Sequence, residues 1–143
     1  MKAYTDKEQS KKLAEILPLE SADMYYKYVL PKSDRIIHTP EIGNPIDSLK
    51  WYNEGYTFRG KREPITLSEY CIPCWSLAAL LDIIPKRIKE YNVLRIDINE
   101  KDTAIWYDEI GCGVNNELPD ITKESVVDAC YEMIIRLNEL KML

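Results

Sequence analysis

Histidine and glycine are scarce in this sequence, which has one histidine (His38) and five glycines among 143 residues. A single imidazole excludes a metal site built on paired histidines, and a Ser-His-Asp triad would depend on His38 alone. The sequence has no glycine-rich loop of the kind that holds phosphate groups. We therefore expect no catalytic residue, no cofactor and no metal ligand, and we favour a non-enzymatic function.

The sequence also lacks long apolar runs and an excess of basic charge. Its longest apolar stretch is shorter than the ~20 residues that span a bilayer, and residues 1–10 are too polar for a signal peptide. These features predict a cytoplasmic protein without a membrane partner. Nineteen basic and 24 acidic residues give a net charge of -5, which disfavours general binding to nucleic acid. A local basic patch at Arg59, Lys61 and Arg62 stays open.

The segment at residues 70–86 organises the predicted fold because it is apolar on nearly every side and carries Pro73 and Pro85 near its ends. A helix with apolar residues all around must be buried. Proline suits the first turn of a helix, and Pro85 disfavours helical geometry at Ile84. We therefore predict a central core helix between the two prolines, with the remaining chain packed around it.

The start of the chain carries two helix signals. Thr5 and Glu8 have the spacing of a capping box, and Pro18 marks the end of the helix that would follow. Ser21 offers a second N-cap, which predicts another helical turn or two at residues 22–26. Together they predict a helical hairpin that covers the core.

Residues 30–66 are the least regular part of the sequence, with four prolines and three glycines. This density of helix breakers excludes long helices. We predict a long loop with a short strand at residues 35–38 and a ragged hairpin formed by residues 48–53 and 56–59.

The clearest strand signal lies at residues 94–107. Apolar or β-branched residues recur at every second position on both sides of a turn-rich tetrapeptide, residues 99–102. This pattern predicts an antiparallel hairpin whose apolar face covers the core helix. On the other face, Arg95 would lie opposite Trp106 in a cation–π geometry. The predicted apolar pairs are Ile98 with Thr103, Ile96 with Ile105, and Leu94 with Tyr107.

An apolar stripe of helical spacing marks the C-terminal segment, where Thr122 would cap an amphipathic helix of about twenty residues. Glu132 and Arg136 have a favourable i,i+4 spacing on its polar face. The apolar stripe consists of Val126, Cys130, Met133, Leu137 and Leu140.

Together, the predicted elements indicate a single α+β domain over residues 1–143, with about three main helices packed on a small antiparallel sheet that contains the hairpin 93–108.

Four cysteines in a reduced compartment are typical of small core residues. Cys71 and Cys74 nevertheless have the C-x-x-C spacing with which redox proteins lower the pKa of a thiol at a helix start. No β-α-β pattern precedes them, which disfavours a thioredoxin-like site. A zinc site would add Cys112 and Cys130, but these two are not a closely spaced pair. A thiol redox or zinc-binding protein that uses Cys71 and Cys74 is therefore our alternative hypothesis.

An aromatic group in the irregular region, at Trp51, Tyr52, Tyr56 and Phe58, is the other candidate for function. These side chains would line a groove for a ligand or a protein. Packing within a hairpin explains them equally well, so both interpretations stay open.

Three segments together resemble a known set of proteins. They are residues 21–26 (SADMYY), residues 72–81 (IPCWSLAALL) with Pro85, and residues 127–134 (VDACYEMI). The combination is similar to small uncharacterised proteins encoded in prophages and mobile elements of gut Bacteroidetes, in which Ile-Pro-x-Trp-Ser-Leu is kept without a need for cysteine on either side of Ile-Pro.

The resemblance implies a genetic context and marks three positions. Trp75 would be a large core anchor, and Ser76 and Asp128 would form a buried hydrogen bond between the central and last helices. Our leading hypothesis is therefore a non-enzymatic accessory or interaction protein of phage or mobile-element origin, which binds an unknown protein partner.

Overall fold

The computed structural model describes residues 2–143, and this part of the chain has an α+β fold with five α-helices and ten β-strands. The α+β class and the antiparallel sheets are confirmed, whereas the number of helices exceeds the predicted three. The chain divides into two compact units, one formed by residues 6–76 and the other by the residues up to Thr5 together with residues 77–143. No helix in residues 2–143 has both the length and the apolarity that a membrane crossing requires.

The unit at residues 6–76 begins with a helix whose N-cap is Asp6 rather than Thr5. The Asp6 side chain accepts from the Gln9 N–H at 2.8 Å, and the Gln9 side chain accepts from the Asp6 N–H at 3.1 Å. The predicted capping box is therefore wrong by one residue. The elements of this unit are α1 (Lys7–Ile16), a 3₁₀ turn (Leu19–Ser21), β1 (Met24–Lys27), β2 (Glu41–Ile42), α2 (Pro45–Asn53), β3 (Tyr56–Thr57), β4 (Gly60–Lys61), α3 (Leu67–Tyr70) and β5 (Cys71–Cys74).

Strand β1 occupies the middle of a three-stranded antiparallel sheet, in the order β2-β1-β5. The predicted helix at residues 22–26, and with it the helical hairpin, is therefore wrong. Tyr25 and Tyr26 are buried, and aromatic residues favour a strand that is covered on both faces. The two consecutive tyrosines thus outweigh the N-cap signal at Ser21.

The first half of the predicted core helix is also wrong, because Cys71–Cys74 is the strand β5. Tyr25 pairs with Pro73, and the Tyr28 N–H donates to the Tyr70 carbonyl at 3.1 Å. Since bonded pairs alternate along an antiparallel ladder, the Pro73 nitrogen faces away from β1 and its missing N–H removes no bond. A proline on the free edge of a sheet and a proline in the first turn of a helix look alike in sequence.

The irregular region contains a helix that its helix breakers did not suggest. Pro45 stands at the first position of α2, and the Asn44 side chain caps the helix by accepting from the Ile46 N–H at 2.9 Å. The predicted strand at residues 48–53 is therefore wrong. The predicted strand at residues 35–38 is reduced to a single bridge between Ile36 and Tyr28.

The second unit contains the predicted hairpin with its predicted register. The pairs Ile98 with Thr103 and Ile96 with Ile105 are both present. The elements are α4 (Leu77–Ile83), β6 (Arg87–Ile88), β7 (Asn92–Ile98), β8 (Thr103–Glu109), β9 (Gly113–Val114), β10 (Ile121–Lys123) and α5 (Val126–Glu139).

The helix α4 is what remains of the predicted core helix. Leu80 is fully buried on it, but Ala78 and Asp82 are exposed, so it is not buried on every face. Helix α5 packs against β8, β10 and α4. Ser125 caps α5, since its hydroxyl accepts from the Asp128 N–H at 3.0 Å. The predicted cap, Thr122, is therefore wrong, and this residue belongs to β10.

The outer face of the hairpin differs from the predicted cation–π pair. Asp108 lies between the two expected partners, 3.4 Å from the Arg95 guanidinium and 2.7 Å from the Trp106 indole nitrogen that donates to it. A carboxylate satisfies both donors, whereas the ring face would satisfy only the guanidinium.

Candidate functional site

The candidate functional site lies on the C-terminal end of α2 and on the β3–β4 hairpin. It consists of three exposed aromatic and two exposed basic side chains. We call it the aromatic hairpin surface. Its members are Trp51, Tyr56, Phe58, Arg59 and Lys61.

The β3–β4 hairpin is a tight turn in which Phe58 and Arg59 form the tip. Thr57 pairs with Gly60, and the Thr57 hydroxyl accepts from the Arg59 N–H at 3.2 Å. Gly60 has a φ of +111°, which a residue with a Cβ rarely adopts. The hairpin therefore fixes Phe58 at its outermost point.

Two polar residues fasten the hairpin to α2. Asn53 bonds twice to the main chain of Ile65, as donor at 3.1 Å and as acceptor at 3.0 Å. The Arg62 guanidinium lies 4.3 Å from the centre of the Tyr52 ring and donates to the Tyr52 carbonyl at 3.3 Å. Gly55 leaves room for this arginine, since a Cβ there would lie 2.9 Å from Arg62 Nη1. The aromatic hairpin surface is thus held in a defined position.

The aromatic members of the surface are exposed to a degree that packing within the hairpin does not explain. Trp51 is 75% exposed, Tyr56 is 74% exposed and Phe58 is 95% exposed. Phe58 is also the only phenylalanine in the sequence. Of the two interpretations left open by the sequence, hairpin packing therefore fits these three residues poorly.

The charge of this segment is opposite to that of the whole chain. Residues 50–63 contain four basic and two acidic side chains, whereas the chain has a net charge of -5. Arg59 lies 5.3 Å from the centre of the Phe58 ring. The surface therefore offers apolar rings and cationic groups together, which suits a partner with apolar and acidic groups.

A network of hydroxyl groups connects α2 to the strands and the helix beside it. Tyr25 donates to the Glu41 carboxylate at 2.8 Å, and the Ser48 hydroxyl donates to the Tyr25 oxygen at 2.8 Å and lies 3.1 Å from that of Tyr70. Burial is the main cause that raises the pKa of Tyr25 to about 12. The network joins β1, α2 and α3 through hydroxyl groups and thereby fixes the position of α2 against β1 and α3.

The structure does not place the two candidate thiols for joint chemistry. Side chains three residues apart in a strand point to opposite faces, and their Cα atoms lie about 10 Å apart, beyond the ~7 Å limit for a disulfide. Cys71 is 2% exposed and Cys74 is fully buried. Burial raises the pKa of the Cys71 thiol to about 12, the opposite of the low pKa that a redox thiol needs.

The other two cysteines do not complete a metal site. Cys112 is exposed in a loop, whereas Cys130 is buried on α5, where burial raises its pKa to about 11. In residues 2–143, no group of three or more His, Cys, Asp or Glu side chains is arranged to hold a metal ion.

The positions marked by the resemblance have partners of their own. Trp75 is fully buried, as predicted, and its indole nitrogen donates to the Ser21 hydroxyl at 3.0 Å. Both the backbone N–H and the hydroxyl of Ser76 donate to Asp23. Asp128 accepts from the Lys2 ammonium at 2.7 Å. These contacts give Ser76 and Asp128 structural roles within their respective units.

His38 is exposed, and its Nδ1 lies 3.0 Å from the Lys7 ammonium. Comparison of the chain with protein-family models, with curated proteins and with solved structures finds no match. The geometry of its own residues therefore carries the functional proposal.

Proposed function

We propose that this protein binds an acidic segment of a partner protein through the aromatic hairpin surface. The observation that carries the proposal is the 95% exposure of Phe58 at the tip of a hairpin that is otherwise well fastened. Burying a phenylalanine stabilises a protein by roughly 1.5–3 kcal/mol, and the fold leaves this gain unused. A partner that covers Phe58 would recover it.

The charges around Phe58 define the kind of partner. Arg59 lies beside the Phe58 ring, and Lys61 is exposed on β4 opposite Tyr56. The partner should therefore contribute carboxylates as well as an apolar side chain. Such complementarity speeds the encounter and aligns the two surfaces. The rest of the chain has an excess of acidic side chains. These side chains repel an acidic segment and so discourage it from binding elsewhere on the protein.

An accessory role in a phage or mobile element is part of the proposal. Its support is the resemblance of residues 21–26, 72–81 and 127–134 to proteins of that origin. The aromatic hairpin surface itself does not depend on this context.

Selection from a library of short, unbiased displayed peptides tests the proposal. We expect the selected peptides to be rich in Asp and Glu, to carry an apolar residue, and to lose binding as salt is raised. A single-stranded oligothymidylate serves as the competing probe, since rings beside cations also suit bases and phosphates. Peptides without acidic bias, or an oligothymidylate that binds more tightly than the selected peptides, would overturn the proposal.

A further inference from the structure

The unit at residues 6–76 also contains an apolar groove, which is separate from the aromatic hairpin surface. It has a volume of about 520 Å³ and is bordered by α1, the 3₁₀ turn, α3 and β5. This volume lies within the range of roughly 300–1,000 Å³ that is usual for sites of small organic ligands. Ala14, Leu19 and Leu67 form part of its wall and are only half-buried.

The edge of β5 decides against a peptide strand as the occupant of the groove. Cys71 and Pro73 line the groove at the free edge of the sheet. The Cys71 N–H already donates to the Leu67 carbonyl, and Pro73 has no N–H. An added strand would therefore find no backbone donor at either position, although such donors are what strand addition requires. A chain without hydrogen-bonding groups loses nothing there.

The charge at the groove decides the head group of the occupant. Lys11 is the charged side chain among the described residues that line the groove. It is exposed, and within residues 2–143 it makes no hydrogen bond or ion pair. An ammonium group at the rim of an apolar groove complements a ligand with an aliphatic chain and one anionic end.

We propose that this groove binds a free aliphatic carboxylate. The chain lies against Ala14, Leu19 and Leu67, and the carboxylate pairs with the Lys11 ammonium. The Cys71 thiol contributes only to the apolar wall, since it is neutral and buried. Binding here is independent of the aromatic hairpin surface, because the two sites share no residue.

Titration with decanoate below its micelle concentration, followed by amide chemical shifts, tests the inference. We expect saturable binding with the largest shifts at Ala14, Leu19 and Leu67. Decyltrimethylammonium, which has the same chain and the opposite charge, should bind at least about fivefold more weakly. Equal binding of the two amphiphiles, or shifts centred outside the groove, would overturn the proposal.

Three variants locate the site. Lys11→Glu should weaken decanoate binding roughly five- to twentyfold, whereas Lys12→Glu, the neighbouring exposed lysine on α1, should leave it unchanged. Ala14→Phe fills the groove and should abolish binding. If Ala14→Phe fails to fold, the comparison of the two lysine variants still decides, since equal effects of both would refute the role of Lys11.

Two further experiments distinguish binding of decanoate in the groove from binding to a lipid surface and from binding at the aromatic hairpin surface. Phosphatidylglycerol vesicles test whether the acyl chain of a lipid is the true ligand. If the protein sediments with these vesicles but does not bind monomeric decanoate, the proposal is overturned in favour of binding to a membrane surface. Phe58→Ser should retain full decanoate binding, so that a failure of the groove and a failure of the proposed partner-binding function remain distinguishable.

Discussion

Asn53 and Ile65 bond to each other twice, with the Asn53 amide donating to the Ile65 carbonyl at 3.1 Å and accepting from the Ile65 N–H at 3.0 Å. Asn53 is the last residue of α2, and Ile65 follows the β3–β4 hairpin. The pair therefore closes the loop that carries the aromatic hairpin surface. A surface that is fixed before binding loses less conformational entropy when a partner arrives.

Replacing Asn53 with alanine should loosen this loop. The variant removes both bonds to Ile65, and we expect the free energy of unfolding to fall by about 1–3 kcal/mol. The Ile65 and Arg62 amides should exchange with solvent faster, the latter because its bond to the Gly55 carbonyl belongs to the same loop. Amide hydrogen exchange measures both effects.

Lys50→Ala is the matched control, since Lys50 is exposed on the same helix. It should change neither the exchange rates nor the stability by more than a few tenths of a kcal/mol. Unchanged exchange at Ile65 in Asn53→Ala would show that another contact holds the loop.

The four thiols should differ sharply in reactivity. Cys112 is exposed, whereas Cys71, Cys74 and Cys130 are buried. We expect an alkylating reagent at neutral pH to label one thiol per folded chain rapidly and the other three only after unfolding. Cys112→Ser should remove the fast phase. Rapid labelling of Cys71 or Cys74, or a disulfide between them after mild oxidation, would revive the thiol-redox hypothesis.

The buried thiol of Cys71 should make the protein sensitive to alkali. Burial raises its pKa from an ordinary value of 9.0 to about 12. Between these two values the unfolded chain loses the proton first, so stability is fully present below pH 9 and is lost as the pH rises toward 12. The expected loss is on the order of a few kcal/mol across that range.

Denaturant titrations at pH 8, 9.5 and 10.5 measure this loss, with Cys71→Ala as the comparison. The variant should be less stable than the wild type at pH 8 because it leaves a small cavity, but its stability should fall less steeply with pH. A parallel decline of the two proteins would assign the alkaline sensitivity to other groups, such as Tyr25, whose pKa is also raised to about 12.

The hairpin formed by β7 and β8 was predictable to the exact pair because its signals are local. Alternation at every second residue sets the face of each strand, and a turn of fixed length between Ile98 and Thr103 sets the register. No contact outside residues 92–109 was needed for that prediction. The Glu132–Arg136 pair on α5 was found for the same reason, and its two charged groups lie 3.2 Å apart.

The sequence of residues 70–86 does not decide between a helix and a strand, because a short apolar run fits a buried strand as well as a helix. What decides between them is pairing with β1, which lies more than 40 residues away in sequence and is invisible to local patterns. Similarly, the exposure of Phe58 was not predictable, since an aromatic residue is normally expected inside. The one available signal was its position between breakers and cations, in the run Gly55 to Arg62.

The central claim is that Phe58 and its neighbouring cations bind an acidic partner segment. The most direct test compares the dissociation constants of one selected acidic peptide for the wild type, Phe58→Ser and Tyr91→Ser. Tyr91 provides the control because it is an aromatic residue of the other unit and is 63% exposed. We predict that Phe58→Ser binds at least about tenfold more weakly and that Tyr91→Ser binds like the wild type. Equal dissociation constants for the wild type and Phe58→Ser would contradict the claim.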